Sequence, residues 1–272
     1  SQGTAQMSHG VSYYWINKNR STPFFATVPG GLTAQEQDAW IHYGGGQELW
    51  DELYSNFNLK AFLGGNSGVQ MGGWFRSEIK SLDDFKGLKM RMPGLGAEVI
   101  NRMGATAVSM PGGEIMPSLE SGAIDATEWV GPYNDLAFGF YQVAKYYYGP
   151  GFHEPGTQAE CMVNKEEYDK LPKHLQKIVE HASVSENNKM LAEFTYGNSA
   201  AQRKLVDTHG VIMNNFPKEV YDTMFKISEE VVAETANDGE INKKIYNSWI
   251  KFKEDVRVRA PYAEQGYMER RG

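Results

Sequence analysis

The chain has 272 residues, 41% of them hydrophobic and 22% charged, with a formal net charge of -7. That is the composition of an ordinary globular protein of one large or two modest domains, and its acidic balance makes a nucleic-acid backbone a poor partner. No run of about 18 apolar residues offers a membrane-spanning helix, and the single cysteine, Cys161, excludes an intrachain disulfide.

Low cysteine usage fits the cytosol and the bacterial periplasm equally. The N-terminus at Ser1 shows no charged-then-apolar leader, so the chain reads as a mature form or a fragment. A short strand-like run ends at Gly10. Thr33, three residues before Glu36, has capping-box spacing and predicts a helix through "TAQEQDAWIHY". "QELWDELYSNF" predicts a second helix, "LKAFL" a strand that exits into the loop "GGNSG", and Val69 to Phe75 a second extended run. Ser81 to Asp84 reads as a capped turn. Leu88, Met90 and Met92 alternate with Lys89 and Arg91, which predicts a half-buried strand. A Pro-Gly turn and a helix bearing Val99, Ile100 and Met103 follow it. "TAVSM" predicts a strand, "PGGEIMPSLESG" a short helix and "AIDATEWV" another strand. This β-α-β-α-β cadence implies an α/β sheet.

Beyond residue 150 helices dominate. One runs from Pro172 to Asp207, another occupies residues 217 to 236, and the segment after Gly239 is mostly helical. "VIMNNF" is a lone strand between them. Ile241, Ile245, Trp249 and Phe252 form an apolar stripe whose partner is either the chain itself or a second copy.

Familiar catalytic signatures are missing. His9, His42, His153, His174, His181 and His209 form no metal-ligand pair at helical spacing, and there is no H-E-x-x-H, no G-x-S-x-G elbow and no P-loop. Cys161 sits in a strand-like stretch and reads as a buried thiol. What remains is a set of polar residues at strand ends: Arg91, then Glu128 with Trp129, then Asn66 and Gln70 after a glycine-rich exit. Each has an ordinary alternative, on a solvated surface or in the core. In open α/β sheets, however, ligands bind beyond the carboxyl ends of strands. The planar fork of an arginine suits a carboxylate there, and a helix N-terminus near Gly96 and Ala97 adds free N–H groups.

The run "GLKMRMPGLGAEVINRMGATAVSMPGGEIMPSLESGAIDATEWVGP" closely resembles the solute receptors of tripartite ATP-independent periplasmic (TRAP) transporters, the DctP-type binding proteins. "GGNSGVQMGGWFR", "FFATVPGGLTAQEQDAW" and "YYYGPGFHEPGT" point to the branch that takes 2-oxo or 2-hydroxy monocarboxylates such as pyruvate and lactate. The resemblance implies a two-lobed α/β periplasmic-binding-protein-like fold with a long bridging helix. On this reading lobe 1 covers residues 1–70, lobe 2 residues 71–160, interleaved with it, and 161–272 hold the bridging helix and the C-terminal helical segments. The first lobe is expected to be truncated at its N-terminus, because a strand, helix and strand precede such a start in the family. Localisation is expected to be periplasmic, with the signal peptide and that segment outside this chain.

The resemblance also implies site roles. Arg91 pairs the ligand carboxylate, and Asn66, Gln70, Trp129 and an aromatic from "SYYW", taken as Tyr14, line the pocket. Gln70, Glu128, the Trp129 carbonyl and Glu154 surround a metal cation. These ligands are all oxygens, which suits a hard cation. Arg91 cancels the charge of the acid, so two ionised glutamates favour a divalent ion, calcium; an amide at position 154 would favour sodium. The expected function is a receptor, not an enzyme, that delivers its ligand to a membrane permease, with a homodimer formed through the C-terminal stripe. The alternative is a metal-assisted lyase or hydrolase acting on a small carboxylic acid.

Overall fold

A computed structural model describes residues 4–271, which fold around two sheets. Strand β1 (Met7–Gly10) leads into 3-10 turns at Ser12–Trp15 and Thr22–Phe25, then helices α1 (Ala34–Tyr43) and α2 (Gly46–Ser55). There follow β2 (Leu59–Asn66), β3 (Gly73–Phe75), β4 (Lys89–Arg91), α3 (Gly94–Arg102), β5 (Thr106–Val108), α4 (Gly112–Ser121), β6 (Ala126–Thr127), α5 (Pro132–Phe138), β7 (Tyr146–Tyr148) and β8 (Gln158–Asn164). The remainder is α6 (Lys165–Lys170), α7 (Lys173–Asp207), β9 (Ile212–Asn214), α8 (Lys218–Glu234), α9 (Glu240–Arg259) and α10 (Glu264–Met268).

Local chemistry sets several of these boundaries. Thr33 and Glu36 cap α1 reciprocally, with the Thr33 amide donating to Glu36 Oε2 at 2.8 Å. Ser81 and Asp84 do the same for the turn before β4. Pro172 starts α7, where a missing N–H costs nothing. Two strands are shorter than the sequence pattern predicts. Of Val69 to Phe75 only Gly73–Phe75 joins a ladder, and of "AIDATEWV" only Ala126–Thr127. In both cases the chain leaves the sheet where polar side chains turn inward.

One sheet has the order β1-β8-β2, antiparallel throughout. The other has the order β5-β4-β6-β3-β7-β9, with β4 parallel to β5 and β6, and β3 antiparallel to β6 and β7. The chain passes from the first sheet to the second through residues 67–72 and returns through residues 149–157. These crossings lie side by side: the Gln70 amide donates to the Glu154 carbonyl at 3.0 Å, and the Gly151 amide to the Gln70 carbonyl at 2.7 Å.

Helix α7 is the third link. At 35 residues it is about 52 Å long, and it packs on β2 with one part and on α5 with another. Gly197 permits the second contact, since a Cβ there would meet the Tyr133 ring at 2.7 Å. None of the described helices is long and apolar enough to cross a membrane.

The larger core stacks Phe25 between Trp50 and Trp40, with centroids 5.1 and 5.8 Å away. The smaller stacks Trp74 on Tyr147 at 3.9 Å, beside Ile115, Leu119, Phe140 and Leu205. Two expectations need correction. Cys161 is only half-buried, because it lies on a strand face covered partly by α7. The α9 stripe packs on its own chain: Ile245 and Trp249 are fully buried against the larger core, and Ile241 and Phe252 are half-buried beside it. The stripe therefore does not itself call for a second copy.

Candidate functional site

The two crossings and the carboxyl ends of β4 and β6 meet at one place. Arg91 is the last residue of β4 and is 2% exposed. Glu128 follows β6, and its amide donates to the Arg91 carbonyl at 3.2 Å, so two parallel neighbours end together. The consequence is a buried ion pair between Arg91 Nη1 and Glu128 Oε1. Nη1 also donates to the Glu128 carbonyl at 3.3 Å, and the guanidinium lies 5.1 Å from the Trp129 ring centroid. Arg91 Nε is buried with no partner. Burial works against the arginine charge, but Glu128, together with Tyr14, Tyr13 and Glu154, more than offsets it and the pKa is raised.

The return crossing supplies His153 and Glu154. His153 Nε2 lies 3.4 Å from Glu128 Oε2, and Glu154 accepts a hydrogen bond from the Thr157 hydroxyl. Burial, reinforced by the nearby Glu128 charge, pushes the Glu154 carboxyl up to about 7. Ligand atoms of Glu128, His153 and Glu154 all lie within 4.8 Å of one another, and all three residues are buried. From the outgoing crossing, Gln70 donates to Ser67 Oγ at 3.0 Å, while its Oε1 is buried without a partner. Two buried carboxylates that converge, with a spare amide oxygen on the adjoining crossing, fit a hard cation.

The remaining expected residues divide. Asn66 is buried with both amide atoms engaged: Oδ1 accepts from the Gly68 amide at 2.7 Å, and Nδ2 donates to Gln158 Oε1 at 3.2 Å. Trp129 is half-buried, and its ring sits over Gly112, where a Cβ would come within 2.6 Å. Tyr14 is 53% exposed, whereas its neighbour Tyr13 is 8% exposed and meets its ring edge-on at 4.7 Å. Burial, then the charge of Glu154, raises the Tyr13 pKa well above the ordinary value, which places Tyr13 among these carboxylates.

Two members of the cluster, His153 and Tyr13, escaped the sequence reading. His153 has no helical partner, and its only signal is that it adjoins Glu154. Between Tyr13 and Tyr14 the sequence holds no signal. A 3-10 turn at Ser12–Trp15 replaces strand alternation, so which ring turns inward is a tertiary outcome.

The model of the bacterial extracellular solute-binding proteins, family 7 (DctP), matches residues 1–238. The chain belongs to this family. The solute-binding protein is 41% identical over 254 residues to the monocarboxylate 2-oxoacid-binding periplasmic protein of Nostoc sp., a match that covers 93% of this chain and 70% of that one. A TRAP periplasmic solute binding protein from Pseudoalteromonas atlantica, with bound sodium and pyruvate, superposes with a TM-score of 0.94. It is 42% identical over 99% of this chain and 82% of its own. A TRAP solute binding protein from Bordetella bronchiseptica, a dimer with copurified calcium and picolinate in one active site and the other empty, gives a TM-score of 0.95. It is 40% identical over 98% of this chain and 79% of its own. The resemblance and the two-lobed α/β receptor fold read from the sequence are thus borne out, and the solute-binding protein is a TRAP-type receptor of an extracytoplasmic family.

Proposed function

We propose that this receptor takes up a small 2-oxo or 2-hydroxy monocarboxylate together with a cation in the periplasm, releases it unchanged, and delivers it to a TRAP membrane permease. The observation that carries the proposal is Arg91: a buried guanidinium with an unpartnered Nε, beside a cluster of carboxylates contributed by the end of β6 and the return crossing. A bidentate pair with a carboxylate would contribute about 1.5–3 kcal/mol. The pyruvate held by the Pseudoalteromonas protein and the 2-oxoacid named for the Nostoc protein support the ligand class.

Gln70, Glu128, Glu154 and the Trp129 carbonyl would hold the cation, which supplies positive charge facing the oxygens of the acid. Arg91 would bind the acid's carboxylate; Trp129 and the buried Tyr13 would wall the pocket and exclude water, with Tyr14 at its edge beside Arg91 and Asn66 fixing the turn from which Gln70 projects. With both glutamates ionised, two negative charges favour calcium over sodium. Sodium in one relative and calcium in another bracket this assignment. We also infer a homodimer. Its contact would fall on the C-terminal end, where Val258, Tyr262 and Tyr267 are exposed, rather than on the α9 stripe, and light scattering at micromolar protein would return a dimer mass.

The deciding experiment is calorimetry with pyruvate and with lactate in chelated, sodium-free buffer, then with calcium or sodium restored separately. One equivalent of saturable binding, strengthened by calcium, with the acid recovered intact by NMR, is the expected result. Consumption of the acid would favour the metal-assisted enzyme. Full recovery of affinity with sodium, and no further effect of calcium, would overturn the divalent assignment.

A further inference from the structure

His153 is the member of the cluster with no task in the reading above, and its placement is tightly constrained. Its ring meets Phe152 edge-on at 5.3 Å. Its Cβ faces Gly96 in the first turn of α3, where an added Cβ would come within 3.0 Å of it. Nε2 lies 3.4 Å from Glu128 Oε2, and Nδ1 is buried without a partner. An ionised carboxylate only accepts hydrogen bonds, so the proton of a neutral ring sits on Nε2. Glu128 is therefore the ring's one polar anchor among the described residues. The two oxygens of Glu128 are divided: Arg91 takes Oε1 and His153 faces Oε2.

That division has a consequence when an acid arrives. Arg91 then divides its charge between Glu128 and the acid while the cation draws on Glu128, and a carboxylate held by the guanidinium alone would be left without a directing contact. We propose that His153 is a positioning residue: it keeps Glu128 oriented through Oε2, so that the carboxylate serves with Gln70 and Glu154 as a cation ligand once Arg91 is shared with the acid. The proposal rests on the cation-and-acid reading above. Hydrogen-bond partners of ligating carboxylates set metal affinity without touching the metal, and their loss typically costs about 10- to 100-fold.

The test uses His153→Phe, which keeps a ring and removes the donor, and His153→Gln, which restores an N–H. Calcium is titrated into the acid-free, sodium-free protein, and pyruvate is then titrated at saturating calcium. His153→Phe is expected to weaken calcium about 10- to 100-fold, His153→Gln to recover part of the loss, and pyruvate affinity at saturating calcium to change little. Unchanged calcium affinity in His153→Phe, or no recovery in His153→Gln, would overturn the proposal. So would a loss of pyruvate affinity as large as the loss of calcium affinity. Should His153→Phe fail to fold, His153→Leu removes the donor in a smaller apolar side chain and is expected to weaken calcium in the same direction; wild-type affinity there would equally refute the role. A wild-type protein that binds neither calcium nor sodium would overturn the function reading as well, and one that prefers a transition metal would make His153 a direct ligand instead.

Discussion

Glu128→Gln separates two roles that the ligand-free geometry combines in one side chain. In the structure Glu128 occupies Arg91 Nη1 and so draws on the same guanidinium charge that is proposed to meet the incoming carboxylate. The acid must therefore compete with an internal carboxylate, and the cation favours the acid by drawing Glu128 to itself. The hydrogen bond keeps its charged donor but loses the attraction between two full charges, and weakening the competitor by about 1–1.5 kcal/mol is a modest share of the roughly 4 kcal/mol that two unit charges about 4 Å apart are worth at an effective dielectric of about 20. That corresponds to roughly tenfold tighter acid binding in the absence of cation. The same change removes a cation ligand, so the gain from calcium should largely vanish. It also leaves a buried guanidinium without its counter-charge, which costs about 3–5 kcal/mol when one partner of a buried pair is lost; the retained amide oxygen should keep the cost at the low end. The assay is pyruvate calorimetry on wild type and variant, each in chelated and in calcium-saturated buffer, with melting curves to confirm folding. Wild type should depend strongly on calcium and the variant weakly, with the variant binding better in chelated buffer. A variant that loses acid affinity equally in both buffers would show that Glu128 is not a competitor, and the reasoning would fall.

Arg91→Lys should weaken acid binding by roughly tenfold or more, because an ammonium cannot reproduce a bidentate fork; equal affinity by calorimetry would remove Arg91 from the site. A third prediction concerns stability, away from the cluster. Glu160, in the central strand β8, accepts from the Tyr54 hydroxyl at 2.8 Å and buries its other oxygen unpartnered, and burial raises its carboxyl from 4.5 to about 7. A raised acid favours folding in its protonated form. Its contribution is therefore intact below pH 4.5 and is lost as pH climbs through 7. Glu160→Gln cannot ionise, so at pH 8 it should be more stable than wild type by about 3 kcal/mol, with the difference closing toward pH 4.5. Urea unfolding at several pH values measures this, and a difference independent of pH would count against it.

Much of the molecule follows from local sequence. The caps at Thr33–Glu36 and Ser81–Asp84, the break at Pro172 and the β-α-β cadence from Lys89 to Thr127 all appear where spacing predicts them. Each depends on side chains within a few residues of one another, so the chain need not fold globally for the signal to exist. Arg91 at a strand end is legible for the same reason. What faces Arg91 is not. Glu128 is brought to it because β4 and β6 are parallel neighbours, a pairing across 37 residues. Gln70 and Glu154 meet because two crossings run side by side, and His153 joins them from the return crossing. The shortened strands at β3 and β6 belong here too: ladders end where the backbone must turn polar groups inward, and no local pattern records that. Tyr13 takes the buried position over Tyr14 through a 3-10 turn, and α9 finds its cover in the larger core instead of a second copy. Residue type and spacing are properties of the sequence, but partnership, burial and the resulting shifts in acidity depend on distances between segments that only the packed chain brings together.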